Sequence, residues 1–266
     1  MTLLKQLLKE CVSDMQTTNQ IILKNKKIRF ADYLVQCENA QMDALEHLDN
    51  IGSNWQVNRE LRIRVGNDSK FQDYVGDLIN FTIGAPDVSQ FLKLKNSFNG
   101  LDMFSENIDP TCYHMEVHPL TSGKQSNKIQ EKILENQKKC TKVFEKINEY
   151  VKGQAACAQI TMVATRLHPL NNMALVCGLI PKEEKDFVHL LNIYNLCEEI
   201  LNSYLAPQFH VILSYFQPRI FQAGEVQELY KMIKHSKVDF EITFDINKLS
   251  YQYFTNLNCY KTVIRL

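Results

Sequence analysis

FHVILSYFQP, residues 209–218, is the stretch on which the reading of this chain turns. It is an apolar run with one histidine near its start and a proline at its end, the pattern of a buried strand. Alternate side chains of a strand share a face, so His210 and Ile212 point the same way. A second stretch, YHMEVHPL (residues 113–120), has the same opening. Alternation there places His114, Glu116 and His118 on one face, with Tyr113, Met115 and Val117 on the other.

Working outward, the two stretches sit in matching units. LINFTIGAP (78–86) reads as a strand running into a turn, and DVSQFLKLKNSF (87–98) as a helix with Asp87 as its N-cap candidate. YHMEVHPL follows as a strand stopped by Pro119. MALVCGLIP (173–181), the helix of 182–205 and FHVILSYF repeat that order. Pro86 precedes His114 by 28 residues and Pro181 precedes His210 by 29. In each unit an aromatic residue precedes the histidine, and a further helix and strand follow: 126–153 then CAQITMVATRL, and 224–235 then VDFEITFDI. NCYKTVIRL closes the chain. The order and spacing repeat although the residues hardly do.

The expected architecture is therefore α+β. Two pseudo-symmetric lobes of mostly antiparallel sheet carry outer helices over residues 71–266, with repeats at about 75–167 and 172–266. Residues 1–70 form an N-terminal helical segment. In it MTLLKQLLKECV and RFADYLVQCENAQMDALEHLDNI read as helices, KNKKIR as a solvated basic turn, and LRIRV as a short strand before a turn at Gly66, Asn67 and Asp68.

Composition narrows the function classes. The chain has 266 residues, 30 basic and 30 acidic, so no overall field argues for nucleic acid. No stretch has the length and apolarity of a membrane span, and the N-terminus lacks the apolar core of a secretory signal. Eight scattered cysteines without a C-x-x-C imply an intracellular, reducing compartment, cytoplasmic or nuclear, rather than a disulfide framework. No P-loop, H-E-x-x-H or G-x-S-x-G is present.

One histidine at the start of a strand is commonly just a satisfied polar residue. Two at matched places in a repeat suggest facing groups in a cleft, where one imidazole takes a proton and the other gives one. His114, Glu116 and His118 on one face also suit a metal. Alternate residues of a strand are about 7 Å apart, however, so convergence on one ion is awkward.

The repeat resembles the 2H phosphoesterases, which include the LigT-like RNA cyclic phosphodiesterases and the U6-type RNA phosphodiesterases. The matching motifs are HMEV (114–117) and HVIL (210–213), and the likeness covers about residues 75–266. It implies metal-independent cleavage of RNA ends, cyclic phosphates or nucleotides, with no cofactor. The implied catalytic residues are His114 and His210, with Glu116 expected to tune or orient His114 or to mark lost activity, and Ser214, Tyr113 and Phe209 are the expected substrate contacts. The family carries a Thr or Ser two places after each histidine; here Glu116 and Ile212 stand there. Ser214, Thr121 and Thr161 are the candidate replacements. The alternative is a catalytically degenerate module that binds RNA or a protein, the latter through the N-terminal helices, with no membrane contact.

Overall fold

The computed structural model describes residues 21–23, 26–51, 54–153, 159–201 and 207–266. The helix read at residues 1–12 lies outside them. Among the described residues no helix is long and apolar enough to cross a membrane.

The first elements are a small antiparallel pair, β1 (Ile21–Leu23) and β2 (Lys26–Ile28), then helix α1 (Phe30–Asp49). Within the basic run Lys26–Ile28 is thus a strand rather than a solvated turn. Helix α1 forms because Phe30, Tyr33, Leu34, Cys37, Gln41 and Leu48 recur at helical spacing and are buried together. Strand β3 (Trp55–Gln56) follows. LRIRV is no strand: Arg59–Ile63 is a 3₁₀ turn capped by the Asn58 side chain, and Arg64 ends it.

Eight strands then build one antiparallel sheet. In chain order they are β4 (Tyr74–Thr82), β5 (His114–Lys124), β6 (Gln159–Leu170), β7 (Ala174–Pro181), β8 (His210–Tyr215), β10 (Glu241–Asp245), β11 (Ser250–Asn256) and β12 (Cys259–Arg265). Their order across the sheet is β10-β6-β7-β8-β5-β4-β11-β12. Four helices complete the fold: α2 (Ala85–Asn96), α3 (Asn127–Gly153), α4 (Glu184–Leu201) and α5 (Ala223–His235). The two-residue strand β9 (Ile220–Phe221) pairs with β3, which ties the N-terminal segment to the second unit.

The sheet is two four-stranded halves, β10-β6-β7-β8 and β5-β4-β11-β12, and the sequence units interleave in them. Strand β6 of the first unit lies beside β7 of the second, and β11 and β12 of the second lie beside β4 of the first. The halves join along β5 and β8, where the register pairs Met115 with Val211. Strand β11, whose SYQYFTN was not singled out from the sequence, takes the place beside β4 that β6 takes beside β7.

Each central strand is bulged at the same place. On β5, Glu116 faces Asn80 and His118 faces Ile79, which leaves Val117 extra. On β8, Ile212 faces Val176 and Ser214 faces Leu175, which leaves Leu213 extra. A bulge breaks alternation and sharpens the local twist. Pro119 does not end β5, which continues to Lys124 paired with β4. Its missing N–H does no harm, because the pairing with β8 is confined to the start of the strand.

Helices α2, α3 and α4 pack on the face opposite the two histidines. Phe91 of α2 meets the Tyr113 ring at 6.3 Å, and His118 Nε2 lies 3.0 Å from Glu198 Oε1 of α4. Asn136 of α3 donates to Thr121 Oγ1 at 2.9 Å. The hairpin from β6 to β7, which links the two units, turns through Asn171 and Asn172, with φ of 50° and 54°, values that asparagine tolerates better than most residues.

Close packing of β4 sets a local test. A Cβ on Gly76 would lie 2.6 Å from the carbonyl oxygen of Thr121 and 2.4 Å from the Phe254 ring. Gly76→Ala should therefore cost about 1–3 kcal/mol by overpacking, read from the urea midpoint. Gly100→Ala, with nothing within 4 Å of the added carbon, is the control that should unfold close to wild type.

Candidate active site

The joint between the halves positions the histidines. With Met115 against Val211, antiparallel register sets His114 opposite Ile212 and Glu116 opposite His210. The four side chains form a square on one face of the sheet, with the histidines on its diagonal. Beyond the joint the bulged strands diverge and leave a cavity of about 340 Å³ lined by His114, Glu116, His210, Ile212, Arg64 and Tyr215, among others.

Both imidazoles are held by the same device. His114 Nδ1 lies 2.7 Å from the Cys112 carbonyl oxygen, and His210 Nδ1 lies 2.8 Å from that of Gln208. In each case the partner is the residue two places back. A carbonyl only accepts, so each Nδ1 carries the proton and each Nε2 is the free nitrogen of the neutral ring. The preceding residues match as well: the Tyr113 carbonyl accepts from Ile83 N and the Phe209 carbonyl from Leu179 N, both at 2.9 Å.

Burial sets the charges. It pulls His114 down to about 4, against the Cys112 carbonyl, and the neighbouring His210 adds to the depression. It lowers His210 too, against the Gln208 carbonyl. It pushes the Glu116 carboxyl up to about 7, against the pull of the Arg64 guanidinium. Near neutrality the cleft thus holds two neutral imidazoles and a carboxyl that is charged only part of the time.

Arg64 was not singled out from the sequence, where it stood inside an apparent strand. It ends the 3₁₀ turn and lies 4.9 Å from the centre of the Tyr74 ring, beside Tyr215. Among the described residues it is the one lysine or arginine lining the cavity. Tyr260, likewise missed, backs the His114 ring at 5.1 Å. Neither has a local sequence signal, because both reach the cleft from distant elements.

Of the expected substrate contacts, Phe209 lines the cavity. Tyr113 and Ser214 do not, and these two expectations are corrected. The bulge at Leu213 turns Ser214 away from the cleft and brings Tyr215 in. Ser214 is 1% exposed, and its hydroxyl has no hydrogen-bond partner among the described residues. Tyr113 faces the helices, and its hydroxyl donates to the Leu213 carbonyl at 3.3 Å. The bulge at Val117 likewise turns His118 to the helix side, so His114, Glu116 and His118 do not share a face. Thr121 and Thr161 supply no cleft hydroxyl: Thr121 serves Asn136, and Thr161 Oγ1 lies 3.1 Å from that of Thr243. Arg166 does not line the cavity and pairs with Glu38 at 3.3 Å.

Comparison with solved structures agrees with this arrangement. A conserved protein of unknown function from Agrobacterium tumefaciens, ATU0111, matches with a TM-score of 0.51 at 13% identity, over 79% of this chain and 94% of that one. The chain shares the fold of that protein. E. coli LigT gives a TM-score of 0.40 at 10% identity over 73% of this chain and 98% of its own. Kluyveromyces marxianus Usb1 gives 0.38 at 8% over 74% and 99%. No family model and no curated protein sequence matches the chain.

The Glu116 environment has a measurable sign. Its raised folded-state value means the native state keeps a proton that the unfolded chain sheds between about pH 4.5 and 7, so this contribution to stability is lost as pH rises through that window. His114 acts oppositely, and its contribution is lost as pH falls from about 6.5 to 4. Glu116→Gln removes the first effect alone. The variant should gain on wild type by about 2 kcal/mol between pH 5 and pH 8 in denaturant titrations; parallel curves would refute the assignment.

Proposed function

We propose that this chain is a metal-independent phosphodiesterase of the two-histidine kind, acting on RNA ends, cyclic phosphates or nucleotides. The observation that carries the reading is the paired clamp: two imidazoles on one cavity, each with Nδ1 fixed on the carbonyl two residues back and Nε2 left for chemistry.

The cycle needs one base and one acid. A neutral imidazole takes the proton of the attacking water or hydroxyl through Nε2. The acid arises on binding: a phosphodiester carries negative charge, and an anion beside a depressed histidine favours its protonated form. That imidazolium then gives its proton to the leaving oxygen. Arg64 neutralises the non-bridging oxygens from the side of the cleft. Glu116 stands where the resemblance implies a hydroxyl; when protonated it offers an O–H donor to a phosphoryl oxygen, and when ionised it repels one.

One observation favours a second reading. Ile212, the counterpart of Glu116 in the other unit, offers no donor at all, and a cleft without that hydroxyl suits a module that binds nucleotides without cleaving them.

A panel of 2′,3′-cyclic nucleotides and short RNAs, assayed with and without chelator, separates these readings. Activity should survive chelator and fall at least about 100-fold in both His114→Ala and His210→Ala. Arg64→Ala should raise KM roughly tenfold or more, as expected for a charged hydrogen-bonding partner of the phosphate. Activity that disappears with chelator, or persists in both histidine variants, would refute the two-histidine mechanism. Tight nucleotide binding without turnover would favour the binding module.

A further inference from the structure

A second cavity, of about 200 Å³, opens on the His210 side of the cleft. Helix α1 roofs it, and strands β6, β7 and β8 form its floor. It shares Phe209 and His210 with the main cavity, so the two are continuous. Its walls include small or apolar side chains: Cys37, Ala40 and Ala44 from the helix, and Leu179 and Phe209 from the sheet. Its polar groups are neutral amides and a third histidine, His168. Among the described residues no Asp, Glu, Lys or Arg lines it.

His168 belongs to the same row of the sheet as the catalytic pair. It pairs with Val176, which pairs with Ile212, which stands opposite His114. It lies on the cleft face and is 8% exposed, and its Nδ1 has no hydrogen-bond partner among the described residues. Gln41 of α1, only 6% exposed, reaches the floor of the cavity. Its Oε1 accepts from Thr165 Oγ1 at 2.9 Å, and its Nε2 would lie 2.4 Å from a Cβ on Gly178, the residue opposite His210. A bare glycine there is what lets this amide approach the cleft.

A slot of this kind excludes a phosphate, which would find no cation. It suits a flat, neutral ring with apolar faces and with donors and acceptors on its edge. Gln41 and His168 offer polar edges whose loss would leave buried groups unpaired. We propose that this cavity is a nucleobase subsite: it holds the base of the nucleotide whose phosphate sits between His114 and His210. The inference rests on the phosphodiester reading of the adjoining cleft and gives the N-terminal helix a part in choosing the substrate.

The test uses nucleosides, which carry no phosphate. Uridine and adenosine are titrated calorimetrically into the full chain and into two variants whose folding is checked by their unfolding midpoints. Ala44→Leu fills the slot from the helix side, and His168→Phe keeps the ring but removes its edge. At least one nucleoside should bind, at least tenfold more weakly in Ala44→Leu and measurably more weakly in His168→Phe. Arg64→Ala, on the phosphate side, should leave nucleoside binding unchanged. No nucleoside binding at millimolar concentration, or binding that neither variant weakens, would overturn the subsite. Nucleoside binding does not need turnover, so a chain that binds bases through this slot but cleaves no phosphodiester keeps the subsite and loses only the catalytic reading.

Discussion

One short ladder, Met115 against Val211, sets the geometry of the cleft. It joins the two half-sheets, fixes the histidines on the diagonal of one square, and sits next to both bulges. Each bulge falls three residues after its histidine. Before the bulge, His114 and Glu116, like His210 and Ile212, face the cleft. After it the sense reverses: His118 and Ser214 face the helices, while Pro119 and Tyr215 face the cavity. The added twist also drives the strands apart, so the same two residues open the cavity and decide what lines it.

On this symmetric backbone the side chains have diverged. Beside His114 the neighbouring strands carry a hydrogen-bonded set. Asn80 donates to Gln252 at 2.8 Å, and Gln252 in turn donates to Thr82 and Thr262 at 3.3 and 3.2 Å. Beside His210 the equivalents of Thr82 and Asn80 are Gly178 and Val176. That half would be bare without Gln41, which α1 supplies from outside the repeat. The N-terminal segment also supplies Arg64. A duplicated frame thus gives the histidines, and the elements added to it give the cleft its cation and one of its walls.

Alternation and spacing were enough to read the central strands and the histidine pair from the sequence, because hydrophobic period is local and strong in MALVCGLIP and FHVILSYF. They failed where the deciding contact is not local. Neither bulge carries a glycine or other signal, so Ser214 and His118 were read on the wrong side and Tyr215 was passed over. SYQYFTN is too polar to announce β11; it is buried because α3 covers it, with Tyr251 donating to the Ile133 carbonyl of that helix at 3.4 Å. LRIRV alternates as a strand does, yet it folds as a 3₁₀ turn because Asn58 caps it and β4 leaves it no edge to pair with. The interleaving of the halves depends on which strand edges meet, which no local pattern records.

Glu116 is the point at which this chain departs furthest from its own symmetry, and its environment gives that departure a physical sense. A fixed carboxylate beside a phosphate would oppose binding, more strongly as water leaves. Here burial already favours the protonated acid, and a second negative charge entering the cleft pushes the same way. A phosphate in the cleft would likewise favour protonation of the two histidines, which burial otherwise keeps neutral. On the phosphodiester reading, anion entry and proton uptake would be linked in this cleft: the ligand that needs an acid would create it, and would convert Glu116 from a repelling group into a donor. A hydroxyl would give the donor without the linkage. On the same reading the carboxyl would make occupancy depend on pH, so the substitution that looks like damage in the motif would couple binding to proton supply.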